Sequence, residues 1–481
     1  MINYKQLFKI FFLLIATILG SRFSHGYFMV LVVATILMLA LLGRNGWALL
    51  GYIMLPITFF LNPSIAEVSS IPVLIVRLGI IAMPLVFMIQ GAKVRSHMKV
   101  PIGGLILFLS CAAISSIGGW FPLISYFKIL NFLLFIIGVK FGVQNLGGNL
   151  EDMDLVRHGL LVMAVFVIAG SLAAYPFPAI GYSMEIDNAR RWGAYGTDEE
   201  IGRDLVSRGS MILFSGVLSH SQLLAPMTAM FAAWVLCDML FVARKLTIVH
   251  SGVLALAPLL LYLTRSRTGL LAFGVAIVMI CFYALPKARI SRLDRARMRG
   301  TLTGVCVLMV IAAVVFEIRS QAMSSWLYKW NRGDVYDVDA VESIAGTRLG
   351  LISNNLDDFK RNPFWGMGFQ VAENHKYLYE RGRISILSAP IEKGVLPTMI
   401  LGEGGVLGAL TFSIFIVGFY GFFIKRKYVA TVTLFTTFLA TNMGEASFFS
   451  PGGHGGLYWL ISVAGGMCVD YLSRIDSYQF D

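Results

Sequence analysis

Residues 264–289 read TRSRTGLLAFGVAIVMICFYALPKAR. From Thr268 to Pro286 no side chain carries a charge. A helix of that length, rising about 1.5 Å per residue, spans nearly the whole of a hydrocarbon core about 30 Å thick. A helix also satisfies its own backbone hydrogen bonds, which lipid cannot do for an open strand. The run is bracketed by cations, Arg265 and Arg267 at one end, Lys287 and Arg289 at the other. Similar runs recur from end to end, near 7–22, 26–42, 46–62, 71–90, 101–119, 122–144, 158–177, 219–242, 247–263, 301–318, 394–424, 428–444 and 455–472.

The sequence therefore predicts an all-α polytopic membrane protein with about fourteen transmembrane helices, twelve at the least. The composition agrees: 481 residues, 57% hydrophobic and 14% charged, hold more apolar surface than a water-soluble fold of this size can bury. Short alternating segments of the kind that build a membrane β-barrel are absent from the sequence. The first run follows Lys5 and Lys9 and reads as a retained helix, with a cleaved signal peptide as the alternative. Gly402, Gly404 and Gly405 interrupt 394–424, which reads as one helix or as a short re-entrant piece plus a helix.

The formal net charge is +12. On a soluble chain that excess points to nucleic acid. Here the cations crowd the short loops, at Lys93, Arg95 and Lys99, at Arg244 and Lys245, at 287–300, and at Lys425–Lys427. With the spans above, all of these fall on the side of the N-terminus, together with Lys5, Lys9 and Arg44. The positive-inside bias makes that side cytoplasmic and leaves both termini inside. No nucleic-acid partner is expected; membrane lipids are. The five cysteines, Cys111, Cys237, Cys281, Cys306 and Cys468, all sit in apolar runs without metal-ligand spacing.

The chain divides into N-terminal spans (1–177), a first outward loop (178–218), central spans (219–318) with the basic loop 287–300, a large outward segment (319–393) and C-terminal spans (394–481). No internal repeat is visible, against the usual plan of a secondary transporter. In the large segment stands GTRLGLISNNLDDFKRNPFWGMGFQ, residues 346–370, with helical character in LDDFKRN and turns at Gly366 and Gly368.

Outward-facing arginines run against the inside bias and so carry information. Arg208, Arg265, Arg267 and Arg348 are candidates to hold an anion at headgroup depth, a pyrophosphate lipid above all, because a guanidinium fork matches phosphate oxygens. Snorkelling at the interface is the competing account of Arg265 and Arg267. His220 and His375, beside the two outward segments, are candidate general bases, ahead of His25 and His454. Glu392, Glu403 and Glu445 border apolar runs on the same side, where a desolvated carboxylate serves as base or pairs with an arginine. Asp334, Asp337 and Asp339 could bind a cation, but three acids at odd spacing are a weak metal signal. The chemistry expected is metal-free, without a cofactor.

Three patches resemble the bacterial O-antigen ligase/polymerase superfamily: Ser266–Phe273 (SRTGLLAF), residues 346–369 with their N-P-x-x-G-x-G ending, and Leu396–Gly408 (LPTMILGEGGVLG) with its E-x-G-x-x-G ending. Phe214–Pro226 (FSGVLSHSQLLAP) is a weaker fourth. The resemblance implies an inner-membrane glycosyltransferase that uses undecaprenyl-pyrophosphate-linked oligosaccharide at the periplasmic face. An acceptor hydroxyl attacks the anomeric carbon and the lipid pyrophosphate leaves, stabilised by arginines. Ligases of this kind carry a histidine followed by asparagine before the leucine-rich run. Here the same place reads SAPIEKGVLP, with Glu392 and Lys393. That departure favours a repeat-unit polymerase, for which a chain-length regulator is a partner by analogy, over a ligase acting on lipid A-core. A lipid-linked oligosaccharide flippase is the reading from another class.

Overall fold

The computed structural model describes Ile10 and residues 27–61, 71–91, 98–147, 149–174, 216–218, 221–244, 247–264, 266–288, 295–296, 298–300, 340–371 and 394–478. Within them all regular structure is helical, with no strand. The helices are α1 (Tyr27–Leu41), α2 (Asn45–Leu61), α3 (Ile71–Gly91), α4 (Gly103–Ile117), α5 (Pro122–Leu146), α6 (Leu150–Val165), α7 (Ser221–Asp238), α8 (Ile248–Thr264), α9 (Arg267–Met279), α10 (Ala340–Arg361), α11 (Leu396–Lys425), α12 (Val429–Thr441) and α13 (His454–Leu460). Helices α6, α7, α9 and α13 each run on through a wider π-helical turn, and α13 continues to Tyr478.

Among the described residues five runs are long and apolar enough to cross a membrane: Pro122–Leu146, Leu150–Ala173, Leu223–Ala243, Thr268–Lys287 and Leu396–Lys425. Shorter apolar helices fall in 30–57, 81–90, 103–117, 248–264 and 429–441. They coincide with expected spans but do not establish fourteen. Prolines inside α2, α3, α7 and α8 are the kind that neighbouring helices accommodate in membrane proteins. Helix α7 is the hub. Of its apolar window 94% is buried, and it packs on α8, α9 and α12.

Two boundaries depart from expectation. The helix placed at 158–177 starts at Leu150, where the Asn149 side chain accepts from the Glu151 amide and caps it. Its first turns, LEDMDLVRH, are too polar for a hydropathy window. In segment 319–393 the helical character expected in LDDFKRN is present and reaches back to Ala340, as the 22-residue helix α10.

Those polar first turns have a buried destination. Asp238, fully buried at the end of α7, takes Arg157 of α6 in a two-pronged ion pair (Nε–Oδ1 2.5 Å, NH2–Oδ2 3.1 Å) and faces His250 Nε2 of α8 at 3.0 Å. Arg157 also reaches Asp154 at 3.1 Å, and His158 Nδ1 lies 3.2 Å from the same carboxylate. At this end too, Asp470 is buried against the start of α12, accepting from the Ala430 and Thr431 amides at 2.9 Å each. The chain alternation sets the starts of α5, α7, α9, α11 and α13 at the opposite end.

Candidate functional site

At that opposite end helix α11 is broken. Gly405 has φ +61° and ψ −158°, a conformation essentially confined to glycine. A break in a helix strands backbone groups on both sides. Here the loop after α10 takes them up. Met367 N–H donates to Gly402 O (2.9 Å) and Gly368 N–H to Glu403 O (3.1 Å). In return Val406 N–H donates to Pro363 O (2.8 Å) and Leu407 N–H to Phe364 O (3.3 Å). The N-P-x-x-G-x-G and E-x-G-x-x-G patches thus mend one another, amide to carbonyl, in both directions.

The glycines are where the two backbones touch. A Cβ on Gly405 would lie 2.5 Å from Phe364 C and O, and one on Gly402 would lie 2.8 Å from Asn355 O of α10. Helix α4 closes the third side. Ser115 Oγ donates to Glu403 O at 2.8 Å and to Trp365 O, the Ser116 hydroxyl accepts from Phe369 N–H at 3.2 Å, and Trp120 N–H donates to Met367 O at 3.1 Å. The Arg361 guanidinium lies 5.7 Å over the Trp120 ring.

The same end includes the turn between α12 and α13. Gln370 Nε2 donates to Phe449 O at 2.7 Å, and Leu396 N–H donates to Asn442 O at 3.0 Å. Helix α9 meets this turn at its first residues. Ser266 Oγ caps α9 by accepting from Gly269 N–H, and Gly444 packs so closely on Thr268 that a Cβ would overlap its hydroxyl. Gly269 in turn fits against Ala225 of α7. Below lies an aromatic core in which Phe449 stacks on Phe108 at 5.3 Å and meets Phe132 and Phe369 edge-on, each at 5.1 Å.

Residues 252–413 match the O-antigen ligase family model. The match supports the superfamily resemblance, and it takes in the Ser266–Phe273 patch, helix α10, both interlocked glycine patches and the break in α11. It ends before α12, so the turn joining α12 to α13 lies outside it. No curated protein matches the chain.

The expected site residues distribute unevenly over this frame. Glu403 is buried two residues before the break, its carbonyl shared by Gly368 and Ser115. Arg267 opens helix α9 and Arg348 lies within α10, both described in backbone only. Arg208, His220, Arg265, His375 and Glu392 lie outside the described residues, as do Asp334, Asp337 and Asp339. Among the described residues no group of three or more acids, histidines and cysteines is placed to hold a metal. Ser115, Ser116 and Gln370, which tie the loop down, went unnoticed in the sequence because a serine in an apolar run has no distinguishing pattern.

Proposed function

We propose that this protein is a membrane glycosyltransferase that transfers glycan from a lipid pyrophosphate to an acceptor hydroxyl, most specifically a repeat-unit polymerase of surface polysaccharide. The observation that carries the reading is the match over 252–413 together with the convergence of its three patches at one end of the bundle. The departure at Glu392 favours polymerisation. The ligase reading is kept because the matching family model is itself described as O-antigen ligase.

In the mechanism proposed, Arg267 and Arg348, with Arg208 and Arg265, neutralise the pyrophosphate as it departs from the anomeric carbon. Charge that develops in the transition state is where fixed cations act most strongly. The Glu403 carbonyl, taken up by Gly368 N–H and Ser115 Oγ, holds the loop after α10 against α11. The proposed topology puts this end at the periplasmic face of the inner membrane, with both termini cytoplasmic and fourteen spans in all.

The test is the surface glycan of a deletion strain, with and without the gene restored. Loss of the ladder with a single repeat still on its acceptor means polymerase. Loss of all attached glycan, with full-length chains accumulating on the lipid carrier, means ligase. Unchanged glycan in the deletion strain overturns both.

A further inference from the structure

The turn between α12 and α13 brings an acid and an imidazole together beside the start of α9. His454 Nε2 lies 3.9 Å from Glu445 Oε2, with the two side chains only 20% and 12% exposed. The His454 ring also meets the buried Tyr458 ring edge-on at 5.5 Å. Gly444, next to Glu445, is pressed against Thr268, the residue after Arg267. The pair is therefore anchored to the helix whose first residue is a candidate pyrophosphate ligand. Glycine is required there, since any side chain would overlap Thr268.

We propose that His454 is the general base of the transfer reaction and Glu445 its positioning partner, an inference that rests on the glycosyltransferase reading above. The acceptor hydroxyl gives its proton to the imidazole while its oxygen forms the new bond to the anomeric carbon. The bond from that carbon to the pyrophosphate oxygen breaks, and its electron pair leaves with the lipid pyrophosphate. The resulting imidazolium faces the Glu445 carboxylate, which stabilises it at ion-pair distance. The pair lies outside the segment that the family model covers.

The experiment restores the deletion strain with full-length wild type, H454Q, E445Q, R267A and, as a surface control, K360A, at matched membrane levels. Lys360 is exposed on α10 and pairs only locally, with Asp357 at 2.9 Å. Surface glycan and lipid-linked donor are measured for each across external pH 5.5 to 8.5, roughly spanning the imidazole range. A positioned base is worth roughly 100-fold or more, so H454Q should lose glycan by about that factor while donor accumulates. E445Q should keep a reduced output whose acid limb is shifted relative to wild type, which a merely structural role would not produce. Glycan at wild-type level in H454Q overturns the proposal. If H454Q does not reach the membrane, E445Q decides: output and pH profile identical to wild type overturn it. Failure of the wild-type gene to restore glycan sinks the underlying glycosyltransferase reading instead, and an inactive R267A beside an active H454Q sinks this proposal alone.

Discussion

Gly405 holds a φ of +61° in the middle of a 30-residue apolar helix. Such a conformation costs a non-glycine residue about 1–3 kcal/mol before any contact is considered. Alanine there would also press its methyl into the Phe364 carbonyl. G405A should therefore lower the thermal midpoint of the detergent-solubilised protein clearly, and G418A, in open space on the same helix, should not. A G405A midpoint equal to wild type would mean that the break is not held as described. The glycines of Leu396–Gly408 were legible as an interruption. Their partner was not, because amide-to-carbonyl bonds between two loops draw on atoms every residue has. Only the shared density of glycine in the two patches hints that two backbones meet.

Helices α6, α7 and α8 are pinned by a charge cluster that sequence reading passed over. Asp154, Arg157 and His158 stand at i, i+3 and i+4 on α6 and so share a face. Asp238 was hidden inside the apolar run LLAPMTAMFAAWVLCDMLFV, where one acid scarcely moves a hydropathy average. Removing one partner of a buried ion pair leaves the other charge uncompensated, at a cost of about 3–5 kcal/mol. D238N should accordingly destabilise the protein far more than D154N, whose carboxylate is 38% exposed and worth about 1 kcal/mol or less. Thermal unfolding of the two variants in one detergent makes the comparison. Equal midpoints would assign the cluster no structural role.

Across the whole molecule, the alternation of helices brings together patches that are far apart in sequence. The all-helical, apolar character was legible because apolar length is a coarse property that survives averaging. The meeting of the two glycine patches was not legible, since which loop meets which is settled by contacts such as Gln370 with Phe449. If one end holds the departing pyrophosphate, R267A and R348A should each abolish glycan lengthening while membrane insertion stays normal. Wild-type glycan from both variants would remove the arginine clamp from the mechanism.

The turn after α12 receives Gln370 on one side and Leu396 on the other, so the chain is fastened to a single support just before residue 372 and just after residue 393. The separation of these two points is set by the bundle, and for a flexible connection between fixed points a doubling of length costs only about 0.6 kcal/mol in closure entropy. In engineering terms the two moorings are a socket whose width should hold when the insert is changed. Lengthening the chain between residues 372 and 393 with a glycine–serine insert should leave the melting midpoint within a few degrees of wild type, and an insert that collapses it would show the moorings to be insufficient.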